Sequence, residues 1–282
     1  MERSSDIEHC DIDVGDGLTL HVAMSGSGPP LVLLHGFTGS GEIWAPLRAG
    51  FSAAHTVIAV DLPGHGRSSA PADPQRYTLT RFADDLAHVL DALAVERTAL
   101  LGYSMGGRAA LRFALSHGDR LAALILESTS PGISDDALRS ERLASDNSLA
   151  DSIERDGIER FVERWEQLPL WSSQSNLSDD GRAKLHAQRL ENDPAGLANS
   201  LRGAGAAVEL PVLDRLAEIH APTLLIAGAL DSKYVELGRL IQKSLPAARM
   251  AIVPGAGHAV HFERPDAFAT AMSEFLRNIG WG

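Results

Sequence analysis

The chain of 282 residues has a hydrophobic share of 44% and a charged share of 22%, which suits one large globular α/β domain or a core with an insertion. Its formal net charge of −12 argues against non-specific nucleic-acid binding and docking on anionic membranes, and no apolar run is long enough to span a bilayer. Cys10 is the single cysteine, which excludes an intrachain disulfide, and the polar N-terminus lacks the apolar core of a signal peptide. We therefore expect a cytoplasmic monomer or small homo-oligomer with no nucleic-acid or membrane partner.

Strands and helices are predicted to alternate along most of the chain. Residues 6–24 alternate apolar and polar side chains around Gly15-Asp-Gly17, a pattern that predicts a β-hairpin. Amphipathic spacing predicts helices over 78–94, with Thr80 as the cap, and over 262–279. Short apolar runs predict buried strands at residues 31–34, 56–60, 98–101, 121–126, 222–227 and 250–253.

The segment 133–208 interrupts this alternation. It contains polar stretches of helical character and no convincing strand. The rest of the chain predicts a mostly parallel sheet with helices on both faces, because strands joined by helices pair in parallel. We therefore predict an α/β core formed by residues 1–132 and 209–282, with residues 133–208 inserted as a helical cap.

A Gly-x-Ser-x-Gly sequence spans Gly102 to Gly106, between the strand 98–101 and a helix predicted over 108–117. The glycines permit a sharp turn that a Cβ would obstruct, and this turn would present the Ser104 hydroxyl at the carboxyl end of the sheet. The following helix N-terminus would add free N–H groups and the positive end of its dipole. This arrangement is typical of the nucleophile elbow of α/β-hydrolases, and a chance occurrence in a loop is the alternative.

Two side chains follow predicted strands in the order expected for a Ser-Asp-His triad. Asp231 comes soon after the strand 222–227 and His258 after the strand 250–253, so both would lie at the same sheet edge as Ser104. A serine hydroxyl needs a histidine to take its proton and an acid to orient that histidine. Taken singly, the aspartate would be a helix cap and the histidine a solvated loop residue. Together, in this order, they predict a catalytic triad.

The segment after the strand 31–34 predicts an oxyanion hole. It reads His35-Gly-Phe-Thr, and the expected donors are the backbone N–H groups of Phe37 and of Met105, the residue after the candidate nucleophile. Thr38 would also reach in through its hydroxyl. We expect His35 to brace the loop rather than to react.

One helical turn beyond Ser104 lies Arg108. A permanently charged guanidinium at that position suits the bidentate capture of a substrate carboxylate. An ion pair with a neighbouring Asp or Glu is the other interpretation, and the sequence leaves both open. In a chain with a net charge of −12, an anionic substrate would need a local basic group of this kind.

The chain predicts neither a metal nor an organic cofactor. His258 and His261 would make a metal pair, but no cysteine and no further cluster of histidine or glutamate accompanies them. The glycine-rich stretches 26–28 and 38–41 match neither the dinucleotide-binding sequence nor the P-loop.

Several of these stretches together resemble the 2-succinyl-6-hydroxy-2,4-cyclohexadiene-1-carboxylate synthases of menaquinone biosynthesis. The resemblance covers nearly the whole chain after the first residues. Its specific part is Arg108 after the elbow, the Ser-Pro-Gly entry into the cap and the cap segment around Trp165. The stretches that carry it are residues 34–40, 61–68, 102–108, 126–132, 196–203 and 255–258.

The resemblance implies a lyase that eliminates pyruvate from a cyclohexene carrying an enolpyruvyl group and several carboxylates, without a cofactor. It implies that Ser104, Asp231 and His258 form the triad. The implied substrate contacts come from Tyr103, Arg108, Arg142, Arg189 and Trp165. Because helix registers in the cap are hard to fix, Arg139, Arg182 and Arg202 stay as alternatives to the two cap arginines.

Other functions use the same triad. A carboxylesterase, a thioesterase or a carbon–carbon hydrolase would need Ser104 and His258 but would have less need of Arg108. A non-catalytic ligand receptor on this fold is a further alternative. Hydrolysis of p-nitrophenyl esters would favour the esterase, and ligand binding without turnover would favour the receptor.

Overall fold

A computed structural model describes residues 7–245 and 247–282 of the chain. The described residues form one eight-stranded sheet. Its strands in chain order are β1 (Glu8–Asp13), β2 (Thr19–Ser25), β3 (Pro30–Leu34), β4 (Thr56–Val60), β5 (Thr98–Tyr103), β6 (Leu121–Glu127), β7 (Thr223–Gly228) and β8 (Ala248–Val253).

The sheet is mostly parallel, as predicted. Its spatial order is β1-β2-β4-β3-β5-β6-β7-β8, and every neighbouring pair from β4 onwards is parallel. β1 and β2 form the predicted antiparallel hairpin, with Ile12 opposite Leu20, and β2 pairs antiparallel with β4. Asp6, the first residue of the predicted hairpin, lies outside the described residues. Because the parallel strands all run the same way, their carboxyl ends gather along one edge.

Helices cover both faces of the sheet. The α-helices are α1 (Ala45–Ser52), α2 (Leu79–Ala92), α3 (Met105–Ser116), α4 (Asp136–Glu166), α5 (Asp179–Leu190), α6 (Pro194–Ala204), α7 (Ser232–Ser244), α8 (Val260–Glu263) and α9 (Pro265–Asn278). Short 3₁₀ helices lie at Gly41–Trp44, Pro74–Tyr77, Gly118–Arg120, Pro169–Asn176 and Leu213–Glu218.

Two apolar clusters, one on each face, hold the helices to the sheet. On one face Leu86 of α2 and Phe113 of α3 pack with Leu100 of β5. On the other face Phe51 of α1 and Phe268 of α9 pack in a separate cluster with neighbouring strand residues. All six residues of β5 are buried, as expected for a central parallel strand covered on both sides. The predicted α/β architecture is confirmed.

The start of α2 differs from the prediction. Thr80 is the second residue of the helix rather than its cap, since the helix begins at Leu79. The carboxylate of Glu209, distant in sequence, accepts the backbone N–H groups of Leu79 and Thr80 at 3.1 Å each, and also the Thr80 hydroxyl. A carboxylate satisfies unpaired N–H groups and complements the helix dipole, so a long-range contact replaces the local cap.

The chain between β6 and β7 is helical. Its three long helices, α4, α5 and α6, contain a cluster of their own in which Phe161 and Val162 pack with Leu197. Gly157, with φ 82° and ψ 171°, breaks α4 into two helical parts. No helix in the described part of the chain is long and apolar enough to cross a membrane.

Candidate active site

The elbow around Ser104 is a tight junction between β5 and α3. Ser104 has φ 51° and ψ −106°, a conformation that L-residues rarely adopt and that indicates local strain. Its backbone N–H donates to the Glu127 carbonyl at 2.9 Å, and the Thr129 hydroxyl donates to the Ser104 carbonyl at 2.7 Å. A Cβ on Gly102 would lie 2.3 Å from the carbonyl oxygen of Gly106, so the turn closes only with glycine there.

The three predicted triad side chains are linked by two successive hydrogen bonds at the carboxyl edge of the sheet. His258 Nε2 lies 3.1 Å from Ser104 Oγ, and His258 Nδ1 lies 2.8 Å from Asp231 Oδ2. His258 is only 2% exposed. Asp231 is also the N-cap of α7, where its Oδ1 accepts the Tyr234 N–H at 3.3 Å. Asp231 therefore caps α7 with one carboxylate oxygen and contacts the candidate triad histidine with the other.

The predicted oxyanion donors lie beside the nucleophile. Met105 is the first residue of α3, where backbone N–H groups have no acceptor within the helix. Phe37 lies in the loop after β3, and both residues line the same cavity as Ser104. The loop approaches the elbow closely, because a Cβ on Gly36 would lie 2.8 Å from the Tyr103 ring. The two candidate backbone donors are thus carried by separate elements that line one cavity.

Buried neutral histidines brace this loop. The ring Nδ1 of His35 donates to the Gly36 carbonyl at 2.7 Å, and its Nε2 accepts the Leu62 N–H at 3.0 Å. His65 packs 5.1 Å from the His35 ring and 5.8 Å from the Phe37 ring. Burial lowers the pKa of His35 to about 4 and that of His65 to about 3, so both stay uncharged at neutral pH.

A cavity of about 300 Å³ lies over the triad between the sheet edge and the helices that follow β6. It has the size of a small-molecule site and is enclosed by aromatic and basic side chains. The sequence-predicted residues that line it are Phe37, Tyr103, Ser104, Met105, Arg108, Arg142, Trp165 and His258.

Arg108 lines this cavity and also reaches the cap. Its Nη1 donates to the Ala204 carbonyl at the end of α6, at 2.7 Å. Burial lowers the pKa of Arg108 to about 10, which leaves it charged at neutral pH in a desolvated position. Among the described residues no carboxylate lies within ion-pair distance of Arg108, whereas Arg142, on α4, pairs with Asp146 at 2.8 Å. The structural ion-pair interpretation of Arg108 thus finds no partner in the described part of the chain.

Two predicted substrate contacts lie outside the cavity. Arg189 does not line it, because its guanidinium lies 2.8 Å from Glu166 and 5.2 Å from the ring centre of the cavity residue Trp171. Thr38 is buried, and its carbonyl accepts the side-chain amides of Gln188 and Asn192 at 3.1 and 3.0 Å. In this conformation Arg189 forms an ion pair within the cap, and Thr38 anchors α5 to the core.

The alternative cap arginines are also engaged elsewhere. Arg139 pairs with Asp136, Arg182 with Asp179, and Arg202 with Asp151 and Glu154. None of the three lines the cavity over the triad, since their partners lie on the outer surfaces of the cap helices. Arg142 is thus the cap arginine that the structure places at this site.

Several cavity residues were not singled out in the sequence. Trp171 packs edge-on against the ring of His258, at 5.6 Å between centres, and Tyr234 packs on that ring at 4.4 Å. Lys233, beside Tyr234 in the first turn of α7, also lines the cavity. The signal available for Lys233 and Tyr234 was their position directly after the triad acid. No sequence signal marked Trp171, because the 3₁₀ helix that carries it is fixed by cap packing.

The two neighbouring histidines do not form a metal pair. His261 Nδ1 lies 2.9 and 2.8 Å from the two carboxylate oxygens of Glu127, and its backbone N–H donates to the same carboxylate. His258 faces the cavity instead. Across the residues that the structure describes, no group of three or more His, Cys, Asp or Glu side chains could hold a metal ion.

The chain is similar in sequence and in structure to proteins of one known family. Residues 29–265 match the family model described as the alpha/beta hydrolase fold. A Bacillus subtilis protein assigned to the 2-succinyl-6-hydroxy-2,4-cyclohexadiene-1-carboxylate synthases is 44% identical over 95% of this chain and 98% of its own length. The Serratia proteamaculans synthase of the same name is 34% identical over 89% of this chain and 94% of its own. The structure of MenH from S. aureus superimposes with a TM-score of 0.89, at 33% identity over 92% of this chain and 98% of that one.

Proposed function

Because this chain belongs to the α/β hydrolase family and, within it, to the 2-succinyl-6-hydroxy-2,4-cyclohexadiene-1-carboxylate synthases, we propose that it eliminates pyruvate from 2-succinyl-5-enolpyruvyl-6-hydroxy-3-cyclohexene-1-carboxylate. It is thus a lyase of menaquinone biosynthesis built on a hydrolase fold. The observation that carries the proposal is the half-buried cation of Arg108 beside Ser104 in an enclosed cavity. A substrate with three carboxylates suits such a site, whereas a neutral ester has no use for a desolvated guanidinium.

The chemistry begins with proton abstraction from the ring. His258, held by Asp231, draws the proton from the Ser104 hydroxyl, so that Ser104 can act as the base toward the ring carbon that bears the succinyl group. The electrons of that C–H bond move toward the succinyl ketone. We assign the stabilisation of the resulting oxyanion to the backbone N–H groups of Phe37 and Met105.

Elimination completes the reaction. The ring electrons shift along the existing double bond, which moves by one position, and the bond from the ring to the enolpyruvyl oxygen breaks. The ring becomes a conjugated diene. The leaving enolate takes up a proton, which His258 can return, and becomes pyruvate. Every atom and electron pair is accounted for without an oxidant, a reductant or a metal.

We also propose roles for the rest of the cavity wall and for the domain division. Residues 133–208 act as the cap, from which Arg142 binds a carboxylate and Trp165 forms an apolar wall, and residues 1–132 and 209–282 form the core. Tyr103 packs at 5.4 Å on the His258 ring and lines the substrate from below. We further propose a cytoplasmic location and a small-molecule substrate as the only partner that the site requires, in keeping with an acidic chain that has one cysteine.

The test is an ultraviolet assay with the enolpyruvyl substrate. The expected result is a new absorbance from the conjugated diene, together with one equivalent of pyruvate measured by a coupled lactate dehydrogenase reaction. Hydrolysis of p-nitrophenyl esters with neither diene nor pyruvate would instead indicate a carboxylesterase. Ligand binding without any turnover would indicate a receptor.

A further inference from the structure

Lys233 lies at the cavity over the triad, in the first turn of α7. Its side chain is exposed, and its Nζ lies 5.7 Å from the ring centre of Tyr234. Across residues 7–245 and 247–282, no carboxylate lies within ion-pair distance of this ammonium. The cavity therefore has a cation at its rim that the described part of the chain does not neutralise.

The position of Lys233 is unfavourable for helix stability. The N-terminus of a helix carries the positive end of the dipole, so a cation in the first turn costs free energy. α7 has no acidic residue in that turn to offset the charge, and the carboxylate of its cap, Asp231, is shared between the Tyr234 N–H and His258. Lys243, in the last turn of the same helix, has the opposite and favourable placement. Helix stability therefore does not favour a lysine at position 233, whereas binding an anionic ligand at the cavity would.

The cavity has two cations that are not paired with a carboxylate among the described residues. Three cations line it, Arg108, Arg142 and Lys233, and the single carboxylate among the lining residues, Asp146, is already paired with Arg142. The substrate under the proposed function carries one carboxylate on the ring, one on the succinyl arm and one on the enolpyruvyl group. Each substrate carboxylate can therefore meet one cation, with Arg142 shared between the substrate and Asp146.

We propose that Lys233 is a specificity-determining residue that binds the carboxylate of the enolpyruvyl leaving group. This inference rests on the proposed function. Lys233 is on the His258 side of the cavity, because the neighbouring Tyr234 ring packs 4.4 Å from the His258 ring. A leaving group held there is close to the histidine that receives the abstracted proton and can return it to the enolate.

The chemistry of the ammonium also suits a group that must leave. Lysine is a flexible, strongly hydrated point charge, so an exposed lysine holds a carboxylate less firmly than an arginine, whose planar guanidinium offers a bidentate fork. Lys233 at the rim can bind pyruvate without trapping it, while Arg108, deeper in the cavity, holds the part of the substrate that stays on the ring.

The experiment compares the wild-type enzyme with Lys233→Gln, Lys233→Arg and the matched control Lys243→Gln from the same helix. The first arm measures kcat/KM by diene formation. Lys233→Gln should lose about 3- to 10-fold, the size expected for a partly exposed charged contact, and Lys233→Arg should recover most of it. Lys243→Gln should match the wild type, and Lys233→Gln should melt at the wild-type temperature or above it.

The second arm measures the dissociation constant of 2-succinylbenzoate by titration calorimetry. This probe has a ring carboxylate and a succinyl carboxylate but no enolpyruvyl group, so Lys233→Gln should bind it as the wild type does. Equal weakening of this probe and of kcat/KM would overturn the assignment to the leaving group, as would a kcat/KM for Lys233→Gln equal to that of Lys243→Gln. If the wild type forms no diene, the proposed function itself fails, which is a different result from diene formation that is insensitive to Lys233.

Discussion

The carboxylate of Glu127 and the imidazole of His261 form a completely enclosed pair directly beneath the nucleophile elbow. The two Glu127 oxygens lie 2.9 and 2.8 Å from His261 Nδ1, and both side chains have 0% exposure. The backbone carbonyl of Glu127 accepts the N–H of Ser104, and the His261 ring packs 4.6 Å from the Tyr103 ring. The pair therefore connects the end of β6 to both the elbow and the segment that carries His258.

Removing one partner of this pair should strongly destabilise the folded protein. Glu127→Ala leaves the imidazole and backbone N–H of His261 buried without their acceptor, so we expect a loss of about 3–5 kcal/mol in the free energy of unfolding. Urea denaturation followed by circular dichroism measures it. Glu218→Ala, which breaks the exposed Arg215–Glu218 pair, is the control and should leave the denaturation midpoint unchanged. Equal midpoints for the two variants would contradict the structural role of the Glu127 pair.

The three proposed triad residues should act as one unit in catalysis. Ser104→Ala, Asp231→Asn and His258→Ala should each lower kcat for diene formation by orders of magnitude, about 10⁴-fold for the asparagine variant by analogy with other triads. Combining the substitutions should add little, because each one disables the same proton transfer. Steady-state kinetics on the single and triple variants measure this. Near-normal turnover by a correctly folded Ser104→Ala enzyme would eliminate the triad mechanism.

Substitution of Arg108 should distinguish a lyase that acts on an anionic substrate from an esterase. Arg108→Ala removes a charge-assisted contact in a desolvated site, so kcat/KM for the three-carboxylate substrate should fall about 10- to 150-fold. Arg108→Lys should recover part of this loss, since an ammonium lacks the bidentate fork. Hydrolysis of a neutral p-nitrophenyl ester, where it is measurable, should change little. The same loss for both substrates would assign Arg108 a structural role through its bond to Ala204.

The buried histidines should make the fold sensitive to acid. The pKa values of His35 and His65 are lowered to about 4 and about 3 in the folded state, so below pH 6.5 the unfolded chain binds more protons than the folded one. The stability that these two neutral histidines contribute to the folded state is fully present above pH 6.5 and is lost as the pH falls toward 4. At pH 5 this amounts to about 2 kcal/mol per histidine.

Urea unfolding at pH 7.5 and pH 5 measures this dependence. His65→Gln should lose stability at pH 7.5 but should show a smaller drop between the two pH values than the wild type. His88→Gln, on the exposed side of α2, should retain the full wild-type drop. A drop for His65→Gln as large as that for the wild type would mean that His65 is not the group that titrates.

The sheet, the elbow and the positions of the proposed triad residues could be predicted from the sequence because they depend on local order. Ser104, Asp231 and His258 each come after a buried strand, and parallel strands deliver their carboxyl ends to one edge whatever their spacing in the chain. Phe37 and Met105 were predicted for the same reason. Their neighbouring turns require glycine, which is visible in a sequence as Gly36 and Gly106.

Which cap side chains reach the cavity could not be predicted in this way. Which arginine reaches the cavity depends on helix register and on competing partners: Arg142 reaches it, whereas Arg189 is held by Glu166 and Trp171. The N-terminus of α2 could not be predicted for the same reason. The side chain that accepts its first backbone N–H groups is Glu209, from a distant segment, and not the predicted Thr80. Long, flexible side chains take the partner that folding brings near, and sequence spacing does not encode that distance.

The sequence by itself thus determined the fold class and the residues whose positions follow from strand order. The tertiary structure alone decided which charges remain unpaired at the cavity. Arg108 and Lys233 face it without a carboxylate partner among the described residues, although the chain as a whole has an excess of acidic residues. A net charge of −12 is a sum over the whole chain, whereas substrate binding depends on charges within a few ångströms, and only the folded chain fixes which ones those are.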